Sequence, residues 1–475
     1  MNKQRQYLLV NRVARGLIGS LLIATNLSVY ANRDNAPSVA TSLDFRQAIK
    51  SAQQYDPWLT GNRFQQQAIN ELAIADGSYA DPKINIGLGN IAADSFDFNQ
   101  EPMSQFKIGI AQVLPRGDTL SLKQQQRQLQ SQQFPYLREN RRAQVAVTVG
   151  TLWLNAYRAQ HCIALIEENR GLFEQLAQIA QASYSSAIGK TRQQDIVRAQ
   201  LELTKIEDRL ATLNRQLSAY KGQLAQWLLA EKYDLFSLTL SESLPQIELM
   251  APALLDALNE NEQGMQWQYS QKVTARIKQH PSVLAIDKKI AATGVGISIA
   301  KEKYKPQWAV KADYGYRADD LAGNERADLF SVGISFDVPL FTENRQDRNV
   351  NAAVAQTESI KTEKQLQIRA LQASLFSSYG QLTQVIKRRD LFASRLLPQM
   401  HDQAEASLTA YTHDDGDFSE VVRARIAELN AIIDAFSLDV EQQILHLQIN
   451  YLLVNATAGS QQQQQSHQDD TGIKP

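Results

Sequence analysis

Four short stretches of the chain alternate apolar and polar residues with a period of two. Ile84, Ile86 and Leu88 alternate with Asn85, Gly87 and Gly89, and Phe106, Ile108 and Ile110 alternate with Lys107, Gly109 and Ala111. Trp308, Val310, Ala312, Tyr314 and Tyr316 alternate with Ala309, Lys311, Asp313 and Gly315. Phe330, Val332, Ile334, Phe336 and Val338 alternate with Ser331, Gly333, Ser335 and Asp337. Successive side chains of a strand point to opposite faces, so each stretch predicts a strand with one apolar-aromatic face and one small or charged face. The spacing places strands at about 83–91, 104–114, 307–317 and 328–338. Polar loops, 92–104 and 317–328, join each pair. On this reading Lys311, Asp313 and Asp337 lie on the polar side of their strands, the side that would face the lumen of a β-barrel.

Most of the remaining chain repeats every seven residues. Ile196, Leu203, Leu210, Leu217 and Leu224 form one series, and Ile206, Leu213, Tyr220 and Trp227 form a second, offset by three. This is an a/d seam of packed helices. Ile426, Ile433, Val440 and Leu447 repeat the pattern later, with Val422, Leu429 and Phe436 beside them. Between Arg116 and Ser186 the only proline is Pro135. At about 1.5 Å per residue, that segment reaches on the order of 100 Å, with a break expected near Pro135. Long helices are expected over about 116–188, 190–229, 343–410 and 418–455.

The two sets of elements are copies of one another. Asp56-Pro57 recurs as His280-Pro281, Asp81-Pro82 as Lys305-Pro306, and Phe106, Gly109 and Pro115 as Phe330, Gly333 and Pro339, all at an offset of 224. Asp195-Ile-Val-Arg-Ala199 matches Glu420-Val-Val-Arg-Ala424 at offset 225, and Tyr184 and Gly189 match Tyr411 and Gly416 at offset 227. Residues 32–230 and 270–457 are therefore read as two structural repeats, each a helix, a β-hairpin and two long helices. A linker, 231–269, joins them, and a Gln-rich tail, 458–475, has no apolar pattern and is expected to be disordered.

Composition agrees with long uninterrupted elements: 22 glycines and 13 prolines in 475 residues are few for a many-stranded all-β chain. A net charge of −1 offers no global field for nucleic acid, and the single cysteine, Cys162, excludes an internal disulfide. The N-terminus reads as a secretory signal over residues 1–31. Lys3, Arg5, Arg12 and Arg15 precede a largely apolar stretch, Gly16 to Val29, and Val29-Tyr30-Ala31 offers small residues for cleavage. The rest of the chain contains no apolar stretch long enough for a helical membrane span. No catalytic constellation appears, so neither an enzyme nor a cofactor is expected. His161-Cys162 point about 100° apart on a helix and read as packing rather than as a metal site. Gly294-Val-Gly296 lies in a helical pattern rather than in a strand-to-helix phosphate loop. His413-Asp-Asp-Gly-Asp417 lacks EF-hand spacing and reads as a solvated turn.

Counting constrains assembly. Four strands are too few to close a membrane barrel, which takes at least about eight, and an open sheet leaves unsatisfied edges in lipid. If the strands sit in a membrane, several chains share one barrel. The heptads alone fit a periplasmic coiled-coil adaptor or scaffold equally well. Four alternating strands with an aromatic-apolar face do not.

The duplicated helix–hairpin–helix halves behind a signal sequence resemble the TolC family of outer-membrane export channels over about residues 43–457. The paired prolines, the Tyr-x₄-Gly patterns at Tyr184/Gly189 and Tyr411/Gly416, and the two Asp/Glu-x-Val-Arg-Ala runs carry the resemblance. It implies a mainly α fold with a small β part. A homotrimer would share a twelve-stranded β-barrel in outer-membrane lipid and an α-barrel of long coiled-coil helices below it. It also implies a periplasmic adaptor and an inner-membrane RND-type pump as partners, with passive conduction as the activity. The Tyr-x₄-Gly patterns then mark helix-tip turns facing the adaptor. Asp195 and Glu420 would line the tip constriction as a ring of carboxylates, held through Arg198 and Arg423. A narrower resemblance, carried by Arg317, Asp328, Asp337-Val-Pro-Leu-Phe341, Asn344-Arg-Gln-Asp-Arg348 and Leu397-Pro398, is to channel subunits that accompany heavy-metal cation pumps. It implies heavy-metal cations as cargo. Leu114-Pro115-Arg116-Gly117 departs from the family's aromatic-glycine junction, which points to an altered strand-to-helix bend.

Overall fold

The computed structural model describes residues 42–185, 192–228, 238–259, 266–413 and 416–456. The signal sequence, Gly189 and the Gln-rich tail lie outside the described residues.

In each repeat a proline-started helix leads to the hairpin. Asp56 accepts the Trp58 N–H at 3.0 Å and so caps α2 (Pro57–Asp76), which follows the short α1 (Phe45–Tyr55). In the second repeat His280 takes the same place, its Nδ1 accepting the Ser282 N–H at 3.2 Å at the start of α8 (Pro281–Glu302). Proline fits the first helical position because its missing N–H has no partner there anyway. The duplicated Asp-Pro and His-Pro pairs are thus a cap and a helix start.

Strands β2 (Lys83–Gly89) and β3 (Gln105–Val113) form one hairpin, and β5 (Trp308–Tyr316) and β6 (Leu329–Phe336) the other. They make one antiparallel sheet in the order β2-β3-β5-β6. Among the described residues, the outer edges of β2 and β6 have no strand partner. A second, two-residue parallel pair joins β1 (Ser42–Leu43) to β4 (Thr239–Leu240). It ties the start of the first repeat to the segment read as a linker, which also forms α6 (Pro252–Asn259). Helix α7 (Gln266–Lys278) leads into the second repeat.

Long helices leave the sheet. In the first repeat α3 (Thr119–Ser131) is followed by α4 (Gln133–Ser185), of 53 residues, about 80 Å long. The break near Pro135 falls at Gln132, and Pro135 sits in the first turn of α4, where its lost N–H costs nothing. Helix α5 (Gln193–Ala225) returns along α4. In the second repeat α9 (Gln346–Leu391) runs through a π-turn, Phe392–Leu396, into α10 (Leu397–Thr412), and α11 (Phe418–Leu452) returns. Pro398 follows the π-turn directly and has no N–H for the ladder; the wider turn takes up that mismatch.

The heptads become three cores along the helices. Near β1–β4, Trp153 is fully buried, donates its indole N–H to the Leu43 carbonyl at 3.0 Å, and meets Phe45 edge-on and Tyr157 face-on. Leu224 of α5 and Val440 and Leu447 of α11 complete that cluster. A second core gathers Val273, Ile277 and Val283 against Leu375, Leu382 and Ile449. The third lies toward the helix tips. It joins Phe173, Leu176 and Ala180 to Ile206 and Leu210, and both sets to Phe418, Val422 and Leu429. His161 and Cys162 belong to this packing: His161 lies 3.9 Å from the Phe436 ring centroid, and Cys162 is buried. Burial lowers the His161 pKa and pushes the Cys162 thiol up.

Candidate functional site: the sheet and the helix tips

Strand register sorts the sheet into two faces. Directly paired residues share a face, and one row reads Ile84, Ile110, Ala312, Val332. The neighbouring rows on that face are Ile86–Ile108–Tyr314–Phe330 and Leu88–Phe106–Tyr316. Every position in those rows is apolar or aromatic, and in the next row Val310 and Ile334 are joined by Gln112; most of the face is exposed, with Ile86 68 %, Phe330 71 % and Ile334 66 % accessible. A soluble chain rarely leaves such a contiguous apolar patch uncovered. Aromatic side chains crowd both ends of the patch. Trp308, Phe336 and Phe341 lie toward the helices, and Phe106, Tyr316 and Phe330 toward the loops. An apolar band between two aromatic girdles is the lipid-facing pattern of a membrane barrel.

The opposite face carries Lys83, Asn85, Lys107, Lys311, Asp313 and Ser331 among small residues. Lys311 and Asp313 thus lie on the polar side their alternation predicts. Asp337 differs. It stands one residue beyond β6, where its carboxylate accepts the Gln307 N–H at 2.6 Å and pairs with Arg116. Arg116 also donates to the Lys305 carbonyl at 3.0 Å. Asp337 is therefore committed to the strand-to-helix junction, not a free wall charge, and Arg116 of the atypical Leu-Pro-Arg-Gly run is its partner. Gly117 has φ +45°, and a β-carbon there would overlap the Glu302 carboxylate and the Lys305 side chain. At the loop end, Arg317 and Arg326 reach across to carbonyls of the first hairpin's loop, at Pro102 (3.3 Å) and Glu101 (3.2 Å).

At the far end of the helices, the two matching runs separate in role. Asp195 is only 5 % exposed and accepts the Arg192 N–H at 2.9 Å, closing the first turn of α5. The family resemblance would place Asp195 with Glu420 in a ring of carboxylates at the tip constriction. The structure turns it inward because the residue three positions into a helix can reach back to the unpaired N–H before it. Glu420 stays exposed in the first turn of α11, where Asp417 does the capping through the Ser419 N–H at 3.1 Å. Arg198 and Arg423 are both exposed, and no ion pair among the described residues joins them to Asp195 or Glu420. The following alanines, Ala199 and Ala424, are buried in the helix packing. Behind the second tip, Arg425 bridges Glu405 and Glu428, and His401 reaches Glu428 at 2.6 Å.

The Tyr-x₄-Gly pattern has a steric cause at the second tip. Tyr411 meets Phe418 edge-on at 5.6 Å, while Tyr184 is half-exposed at the end of α4. A β-carbon on Gly416 would lie 2.7 Å from the Tyr411 amide nitrogen and 2.9 Å from the Ala410 carbonyl carbon. Both are backbone and cannot yield easily. Gly416→Ala is expected to destabilise the turn by about 1–3 kcal/mol and expose it to limited proteolysis. Gly171→Ala, on an open helix face, should leave the digestion pattern unchanged or more resistant.

No protein-family model matches the chain, and no curated protein matches it in sequence. Solved structures do. CusC, described for its folding and transmembrane channel formation, superimposes with TM-score 0.67 over 86 % of this chain and 92 % of its own at 13 % identity. The CmeC outer-membrane channel of Campylobacter jejuni gives 0.68 over 88 % of each chain at 11 % identity. The fold is that of the TolC-like outer-membrane channels. The open-state MtrE outer-membrane channel of Neisseria gonorrhoeae aligns likewise, with TM-score 0.64 over 86 % of this chain and 88 % of its own at 13 % identity. No helix among the described residues is long and apolar enough to cross a membrane.

Proposed function

We propose that the chain is one subunit of a homotrimeric outer-membrane efflux channel, exported by its N-terminal signal and passively conducting solute handed over by a periplasmic adaptor and an inner-membrane pump. The sheet carries this reading: one face is apolar and aromatic apart from Gln112 at its helix end, and both edges are open. In hydrocarbon each unpaired backbone group costs several kcal/mol, so β2 and β6 need strand partners from other copies. The helices support the same assembly. Val422 of α11 is buried, but Val197 and Leu201 on α5 are 58 % and 51 % exposed: among the described residues α5 packs along α4 and only slightly on α11, which leaves that flank without a long-helix neighbour. A further copy supplies one. The shared fold with CusC, CmeC and MtrE favours a channel over a periplasmic scaffold. Heavy-metal cargo rests on the sequence resemblance alone; the choice of solute is assigned mostly to the pump.

The test is single-channel conductance of the membrane-extracted oligomer. Discrete steps are expected, and Glu420→Ala should shift their ion selectivity away from cations at low salt, since Glu420 is the exposed tip carboxylate. Asp195→Ala should instead lower tip stability by about 1 kcal/mol through loss of its helix-start hydrogen bond. Recovery of the chain only as a soluble periplasmic monomer would overturn the channel and leave the scaffold.

A further inference from the structure

The polar wall of the sheet is not electrically neutral. It carries Lys83, Lys107 and Lys311 against a single carboxylate, Asp313. All three lysines are exposed, and among the described residues none forms an ion pair. The register brings two of them together: Lys83 and Lys311 flank Ala111 on either side in one row across β2, β3 and β5. The wall is also shaped for them. The Lys107 stem lies against Gly89 and the Lys311 stem against Gly333, where a β-carbon would come within 2.8 Å of the Lys311 Cε. Bare glycine backbone lets each stem lie flat across the next strand and holds the ammonium near the wall.

We propose that Lys83, Lys107 and Lys311 make the barrel segment anion-selecting, so that the solutes it favours carry net negative charge, such as carboxylates, phosphates or anionic complexes. This rests on the channel reading above and adds its specificity. Unpaired like charges on a low-dielectric wall raise the local potential of an enclosed path far more than the same charges on an open surface. The field acts locally, since its reach is about 10 Å at 0.1 M salt. The exposed Glu420 sits at the other end of helices about 80 Å long and does not cancel it. Asp313 is the one opposing group, and its carboxylate lies over Gly109, in the next row.

The experiment places a thiol between the two flanking lysines. Ala111→Cys in outer-membrane vesicles is treated with anionic and cationic methanethiosulfonate reagents of matched size, at about 0.01 M and 1 M salt. The ratio of the two rates, divided by the same ratio measured on a small free thiol under the same salt, reads the local potential and cancels both the thiol's own ionisation and the reagents' intrinsic reactivities. The native Cys162 is buried and contributes little background. The anionic reagent is expected to react faster by several-fold to about tenfold at low salt, falling toward parity at 1 M. Lys83→Gln with Lys311→Gln should remove the preference. A ratio at or below one with the lysines present, or one unmoved by their removal, overturns the proposal. Ile110→Cys, on the apolar face, separates the two levels of the argument. If it reacts as readily as Ala111→Cys, that face is not in lipid and the channel reading itself fails.

Discussion

Val332→Arg is expected to abolish assembly in the outer membrane, whereas Ser331→Arg, one residue earlier on the same strand, is expected to assemble. Val332 lies mid-strand in β6, 64 % exposed, at the end of the row Ile84, Ile110, Ala312, Val332. Its row partner Ala312 is too small to shield it. An arginine on the lipid face near the bilayer centre costs about 2–4 kcal/mol, so three copies in one barrel would lose roughly 6–12 kcal/mol. That is comparable to the whole stability of a typical domain. Ser331 points to the polar wall, opposite Asp313, where an arginine meets water and a carboxylate. Heat-resistant oligomer on gels and membrane fractionation check the pair. Equal behaviour of both variants and the wild type would mean the sheet is not in a bilayer. Loss of Ser331→Arg alone would invert the two faces.

The contrast between those neighbours is written in the sequence, because strand alternation is a local property. Each side chain's face follows from its parity, and the four stretches keep parity without a slip. The heptads are legible for the same reason: Leu210, Leu224, Ile433 and Val440 are buried where a seven-residue repeat puts them. What escapes the sequence is whatever depends on a distant partner. The β1–β4 pair is two residues long, too short for any period, and exists because Trp153, a hundred residues on, bonds the Leu43 carbonyl. Asp195 and Glu420 occupy equivalent places in matching runs yet differ in burial. One reaches back to Arg192, while Asp417 spares the other that task. Asp337 continues a perfect alternation, but Arg116, from the other repeat, claims it. The two N-cap residues, Asp56 and His280, are visible as a repeated residue before proline. Their different chemistry matters only once their surroundings are known: Asp56 pairs with Arg141 at 2.7 Å, whereas His280 bonds the neutral Ser282 and the Tyr451 carbonyl.

That difference makes stability acid-sensitive at one repeat. His280 is fully buried, edge-on to Tyr451 at 5.2 Å. Its Nε2 donates to the Tyr451 carbonyl at 3.1 Å, which leaves Nδ1 as the acceptor from the Ser282 N–H and hydroxyl. The neutral ring is satisfied on both sides. Protonation would put a hydrogen on Nδ1, facing the Ser282 N–H it must accept, and would strand a charge in an apolar site. Burial accordingly holds the pKa down to about 4, against an ordinary value of 6.5. A folded-state pKa below the unfolded one means the unfolded chain binds the proton first, so stability is full above pH 6.5 and falls as pH drops toward 4. At 1.36 kcal/mol per pH unit the loss reaches about 3 kcal/mol per chain. His161 and His446, also lowered by burial, push in the same direction, so the contribution of His280 must be isolated. His280→Asn keeps an N-cap acceptor and removes the titration. Urea unfolding of the extracted oligomer at pH 7.5 and pH 5 is expected to show a larger acid loss in the wild type than in His280→Asn, even though the variant starts lower through lost packing. Equal acid losses in the two would show that His280 protonates as easily folded as unfolded, and the cap would then have to open before the helix does.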